Sequence, residues 1–494
     1  MKKNLLFAAA VLCTFACSKP VEEVPVVEVN LSSFGFSVEK NAALKADVFV
    51  ENPSSSVSIT LPYGTEEDAL KNLVPTFTVT EGATVTVEES EVESGVSAVD
   101  FTYPVEFLVS VNEKSNALYT ITVKIGEPDS FIPAAKTQDA DSIGKGPYLA
   151  INPKTGEPYF GVVAKTEDGH PLLYRYNGAS IVKVCDIAEG NSDQPTVAFT
   201  SDGTAFFACY DKTAKSMDVY KVGENSASVF GEKGVLYAPL TNSTYQTIGL
   251  LPLSATSLYT AYGVSAKVGN LAKRILNLAH TDGKTWQQEI KIAGRDESLY
   301  AYEVYSKMVG DTGYLLIFNQ NKHSLSLYKF DSEISTIFEG VSFTLPSSET
   351  QAKLNLFGID FDIASDGTPY FMTAVENSSA LGYSPAIYKY DLTEKMPIMV
   401  GGVLSNIDAS AKKNISFALN SNDIPYVAYT NGSLPNNALY TYIGSKTKVW
   451  VDPIALSDEK AENVKIAFAE DGIGYIAYEA AATGDHHIAL YKTK

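Results

Sequence analysis

Arginine is almost missing from this chain: Arg175, Arg274 and Arg295 are all there are in 494 residues. So few guanidinium groups leave no cluster to clamp a substrate carboxylate through paired N–H donors. Cations as a whole are scarce, with 38 Lys and Arg against 58 Asp and Glu, a net charge of −20 and a pI near 4.7. That balance excludes nucleic acid as a partner, because phosphate neutralisation needs a basic surface. Cysteine is limited to four residues, and Cys13 and Cys17 fall in the first 17. Cys185 and Cys209 remain, without a CxxC pair or zinc-type histidine spacing, and are expected as buried free thiols in strands of neighbouring repeats. No apolar run beyond the first residues is long enough to span a bilayer. The GxSxG, HExxH, Walker and dinucleotide patterns are missing too.

Tyrosine (29) and phenylalanine (23) are plentiful, and they recur in order. A short strand pairs an aliphatic residue with Tyr at Leu173-Tyr174, Val219-Tyr220, Leu327-Tyr328, Ile387-Tyr388, Leu439-Tyr440 and Leu490-Tyr491. Leu276-Asn277-Leu278 reads as a degenerate copy in the one gap. A second aromatic precedes each, at Tyr159, Phe206, Tyr259, Tyr314, Tyr370, Tyr426 and Tyr475. Successive copies lie tens of residues apart, from 46 (Tyr174 to Tyr220) to 60 (Tyr328 to Tyr388). Strand-like alternation at that period predicts a seven-bladed β-propeller over 128–494. Asp-Gly pairs at Asp202-Gly203, Asp366-Gly367 and Asp471-Gly472 supply tight turns between the first two strands of a blade. The last repeat stops after its third strand, so Phe131 to Lys136 are expected to add the missing outer strand.

Ahead of the propeller, 24–127 alternates through about seven short strands, the size and rhythm of an immunoglobulin-like sandwich. Residues 1–17 form an export signal: Lys2 and Lys3, an apolar run from Leu5 to Leu12, and small residues before Cys17. Thr14-Phe15-Ala16-Cys17 resembles the lipobox of bacterial lipoproteins, although Thr14 stands where Leu is usual. Ser18 to Glu23 is similar to the acidic tether of Bacteroidetes surface lipoproteins. Leu73-Val74-Pro75-Thr76-Phe77 and Leu118-Tyr119-Thr120-Ile121 resemble the Ig-like domains that begin many of them. The resemblance implies lipidation at Cys17, an outer-membrane address facing the surface or the periplasm, and a spacer carrying a binding module. His280-Thr281-Asp282-Gly283-Lys284-Thr285-Trp286 is similar to the Asp box of sialidase-type propellers, one residue short, and that box is a structural turn.

Function is expected on the long b–c and d–a connections. Tyr237, Tyr245, Tyr300, Tyr302 and Tyr383 there suit sugar stacking, against the alternative that they pack the loops onto the blades. Asp360 and Asp362, two apart on one strand, face the same way and offer two carboxylates to a ligand, a cation or an acid–base pair, or serve structure alone. Because glycosidases flank the scissile bond from two sides, one strand is a poor source of both groups. Asp168, His170, Asp485, His486 and His487 would converge as a metal site if the first and last repeats meet; solvated loop histidines are the alternative. The sequence therefore predicts a lipid-anchored envelope protein binding glycan or another extracellular ligand without catalysis and without a cofactor, membrane contact being through the anchor alone. A glycoside hydrolase or lyase using Asp360 and Asp362, and a scaffold for other envelope proteins, are the alternatives.

Overall fold

A computed structural model describes residues 26–494, except 45, 127, 129, 138–142, 166–167, 235–243, 269–270, 289–300, 320–323, 343–358, 377–382, 405–413, 431–436, 445–447 and 482–485. Within strands, the side chains of 244–246, 264–268, 271–275, 288, 301–302, 374–376, 383–384 and 481 also lie outside the description. The chain divides into two compact units, residues to 126 and residues from 127.

The first unit is a two-sheet β-sandwich. Leu31–Phe36 pairs with Val48–Glu51 on one side and Thr76–Val79 on the other. The second sheet runs from Ser56–Leu61 through Ser115–Ile125, Val105–Asn112 and Thr84–Val87 to Ser90–Glu91, its first pair parallel. Ser56–Leu61 alternates exposed and buried side chains without a break, the pattern of a strand with one wet face. The inward residues close on Phe34, Phe36, Phe77, Phe101 and Phe107, with the Phe34 and Phe107 rings edge-on at 5.2 Å. Gly35 is required there: a Cβ would lie 2.1 Å from the Val48 carbonyl oxygen, where the neighbouring strand crosses it.

The second unit is all-β, seven four-stranded antiparallel blades. Strands a to d of blade 1 are Ile143–Ile151, Pro158–Ala164, Pro171–Tyr176 and Ile181–Asp186. Blade 2 has Ser192–Phe199, Ala205–Asp211, Ser216–Val222 and Ala227–Val229; blade 3 has Thr244–Ser254, Ser257–Val268, Leu271–Thr281 and Trp286–Gln288. Blade 4 has Ala301–Val309, Thr312–Asn319, Ser324–Phe330 and Ile334–Val341; blade 5 has Asp360–Ile363, Pro369–Glu376, Tyr383–Asp391 and Met396–Val403. Blade 6 begins with Ile415–Leu419, Pro425–Thr430 and Asn437–Tyr442. Its outer strand is the start of Ile454–Phe468, whose far end is the inner strand of blade 7. Gly474–Ala481 and His486–Thr493 follow, and Phe131–Lys136 pairs antiparallel with the latter as strand d. Contacts between consecutive a strands run round the whole circuit, with that of blade 7 against that of blade 1, so the ring is closed.

Sequence repeats become spatial ones through strand register. In blades 1, 2, 4, 5 and 7 the upstream aromatic lies on strand b directly across from the residue after the Tyr position on strand c: Tyr159 from Arg175, Phe206 from Lys221, Tyr314 from Lys329, Tyr370 from Lys389 and Tyr475 from Lys492, whereas in blade 6 Tyr426 faces Tyr442. In blade 3 the residue facing Tyr259 is His280. The degenerate copy is therefore Leu278-Ala279-His280, two residues later than the aliphatic spacing suggests. Gly203, Gly367 and Gly472 hold φ of 85°, 86° and 88° in the a–b turns. Asp202, Asp366 and Asp471 accept the N–H two residues on.

Candidate functional site

The inner strands of different blades share no ladder, so their main-chain N–H groups need partners from elsewhere. Side chains of the adjacent blade provide several. Thr247 Oγ1 accepts from Val304 N–H at 2.7 Å, and Ser306 Oγ from Leu250 N–H at 2.8 Å, joining blades 3 and 4. Asn414 Oδ1 accepts from Asn463 N–H at 2.8 Å, joining blades 6 and 7.

Asp360 and Asp362 do the same between blades 5 and 6. Asp360 Oδ2 accepts from Ser416 Oγ and from Phe417 N–H, both at 3.0 Å, while Oδ1 accepts from Phe361 N–H at 2.9 Å. Asp362 Oδ2 accepts from Leu419 N–H at 3.0 Å and Oδ1 from Ile363 N–H at 2.7 Å, and Lys307 of blade 4 closes a short ion pair on it. Burial raises the Asp360 carboxyl above the usual range, opposed by the Lys465 charge and by its hydrogen bonds. Every oxygen of the pair is committed to a protein donor. The two carboxylates are thus placed to fasten one blade to the next.

Around them the channel carries further polar side chains. Tyr305 donates to Glu303 in a short hydrogen bond. Lys465 lies 5.7 Å from the centroid of the Tyr148 ring, a cation–π contact between blades 7 and 1. Lys145 pairs with Asp193 of blade 2 at 2.6 Å. Burial pushes the phenols of Tyr148 and Tyr305 upward. Glu303, Tyr305 and Lys307 occupy alternate positions of one strand, as do Asn463 and Lys465. That spacing was the available clue, but it marks a channel only once the strand is known to be innermost.

His170 Nε2 lies 3.3 Å from Asp186 Oδ1, both within blade 1, and Asp168 is exposed on the turn before it. His486 Nδ1 binds Glu479 of its own blade, and His487 points to the other side of the strand. Among the described residues no group of three or more His, Cys, Asp or Glu is placed to hold a metal ion. His170 and His486, two of the expected imidazole–carboxylate set, each take a carboxylate from their own blade. Asp485, Tyr237, Tyr300 and Cys17 lie outside the described residues. Tyr245, Tyr302 and Tyr383 stand on strands of blades 3, 4 and 5, their side chains outside the description.

The Asp-box-like segment is a turn. Asp282 Oδ1 accepts from Lys284 N–H at 3.1 Å, Gly283 has φ 90°, and Trp286 Nε1 donates to the Glu232 carbonyl at 3.1 Å from within the core between blades 2 and 3.

Residues 34–123 match the family model described as SGBP, N-terminal, the N-terminal domain of surface glycan-binding proteins. No curated protein matches the chain in sequence. Among solved structures, polysaccharide lyase Uly1 is 9% identical with TM-score 0.44 over 74% of this chain and 97% of that one. The Dos1 propeller is 10% identical with TM-score 0.43 over 73% and 94%. The Penicillium chrysogenum α-L-arabinanase complexed with arabinobiose is 9% identical with TM-score 0.40 over 75% and 99%. The N-terminal match, with a propeller behind it, supports a protein of the surface glycan-binding type.

Proposed function

We propose that this protein binds an extracellular glycan without cleaving it, the sandwich lifting the propeller from an outer membrane to which Cys17 is lipid-anchored. The observation that carries the glycan reading is the match of residues 34–123 to the SGBP N-terminal family. The non-catalytic reading draws on Asp360 and Asp362, whose oxygens are held by Ser416 and by main-chain N–H groups. Ligand contact belongs at the end of the propeller where the b–c and d–a connections are longest in sequence.

Native gels cast with soluble polysaccharides test the binding. Retardation of the exported chain by at least one of them is expected, with no new reducing ends or unsaturated products on long incubation. A panel that leaves migration unchanged removes the glycan reading, and product release abolished by Asp360→Asn replaces it with the enzyme one. Labelled fatty acid should enter the wild-type chain and not Cys17→Ser; equal labelling removes the anchor.

A further inference from the structure

In blade 7, strand b ends at Glu479-Ala480-Ala481 and strand c opens with His486. Register sets Ala481 opposite His486 and Glu479 opposite Ile488, which makes Glu479 and His486 diagonal neighbours on one face of the blade. Glu479 is only 3% exposed. A carboxylate that deep needs a donor for each oxygen. Asn463 Nδ2 donates to Oε2 at 2.7 Å, and His486 Nδ1 makes a short hydrogen bond with Oε1. Asn463 is itself fixed by its main-chain N–H on Asn414 Oδ1 at 2.8 Å. Asn463, on the inner strand of blade 7 and fixed by Asn414 just ahead of the inner strand of blade 6, therefore holds the carboxylate, and the carboxylate holds the ring.

The other imidazole nitrogen is left outward. The His486 side chain stays 23% exposed, and among the described residues Nε2 has no hydrogen-bond partner and is not among the buried unpaired atoms. An ionised carboxylate only accepts, so in the neutral ring Nδ1 carries the proton and Nε2 presents its lone pair. A buried acceptor behind the ring thus fixes orientation and tautomer together. A ring held this way suits a ligand contact, since the ordering cost of the contact is met before the ligand binds.

We propose that His486 is a ligand-contacting residue at the b–c end of blade 7, its Nε2 accepting a hydrogen bond from a saccharide hydroxyl. A lone pair held outward calls for a donor, and sugar hydroxyls are the donors the glycan reading supplies; the proposal rests on that reading. Glu479 and Asn463 are positioning residues.

The protonation state is read without any ligand. Nitrogen-15 spectra of the exported chain, which has five histidines, should show His486 protonated on Nδ1 at neutral pH and switched to Nε2 in Glu479→Gln. A wild-type proton on Nε2 overturns the proposal. With a polysaccharide that retards the wild type, His486→Ala should bind about ten-fold more weakly, the worth of one well-placed hydrogen bond. The same polysaccharide should move the wild-type His486 nitrogen resonances, a readout that survives if a variant fails to fold. Unchanged affinity in folded His486→Ala, or unmoved resonances, overturns the contact, whereas a wild type retarded by nothing overturns the glycan reading and this contact with it.

Discussion

Asp360 in blade 5 accepts a hydrogen bond from the main-chain N–H of Phe417 in blade 6, with Oδ2 and N 3.0 Å apart. One pleat further on, Asp362 does the same for Leu419. The inner strands of adjacent blades share no ladder, and these carboxylates accept from main-chain N–H groups that a ladder would otherwise engage.

Removing such a staple should destabilise the propeller. Asp362→Ala strands the Leu419 N–H and the Lys307 ammonium, and is expected to cost about 2–3 kcal/mol. Asp362→Asn retains an acceptor and should cost about 1 kcal/mol. Urea unfolding measures both, and wild-type midpoints for the alanine variant would contradict the role.

The raised pKa of Asp360 has a signed consequence. A carboxyl whose folded pKa lies above its unfolded value near 4 binds its proton more tightly in the folded state. Its contribution to stability is therefore greatest at low pH and falls as pH rises through the folded pKa. Measured against wild type, Asp360→Asn should gain relative stability as pH climbs from about 4 towards neutrality. A flat difference across that window would mean the carboxyl titrates normally.

Closure by Phe131–Lys136 predicts a sharp truncation boundary. The Phe131 ring packs on Tyr440 at 4.9 Å, Lys136 reaches Glu459 at 2.5 Å, and the Thr137 hydroxyl accepts from Ile488 N–H at 3.1 Å. A chain starting at 138 uncovers the strand His486–Thr493 and should aggregate or unfold, while one starting at 127 should elute from gel filtration as a single folded species. Phe131→Ala alone should cost about 3–5 kcal/mol.

Cys185 and Cys209 share the core between blades 1 and 2 as free thiols, and burial pushes Cys209 up to about 12. Neither should react with a thiol reagent at neutral pH in the native protein, and both should react in denaturant. Rapid native labelling would show that this core opens easily.

The seven-bladed all-β fold was legible because its information is local. Alternation marks strands, Asp-Gly marks the turns, and an aliphatic–Tyr pair with an aromatic upstream of it repeats with the blade. Leu278-Ala279-His280 escaped because its tyrosine is replaced by alanine, leaving only register to reveal the correspondence. Asp360 and Asp362 stood out as two carboxylates among small residues, yet nothing local says that Ser416 and Phe417 will lie against them.

By itself the sequence determined the kind of element at each stretch, its turns, and the acidic, arginine-poor chemistry of the whole. The partner of each polar side chain was decided only by tertiary structure. His170 and His486, close in the sequence's own logic of a closed ring, each turned to a carboxylate of their own blade. Hydrogen bonds reach about 3 Å, and which groups come within that distance is set by how the sheets pack around the axis, a packing that strand periodicity does not encode.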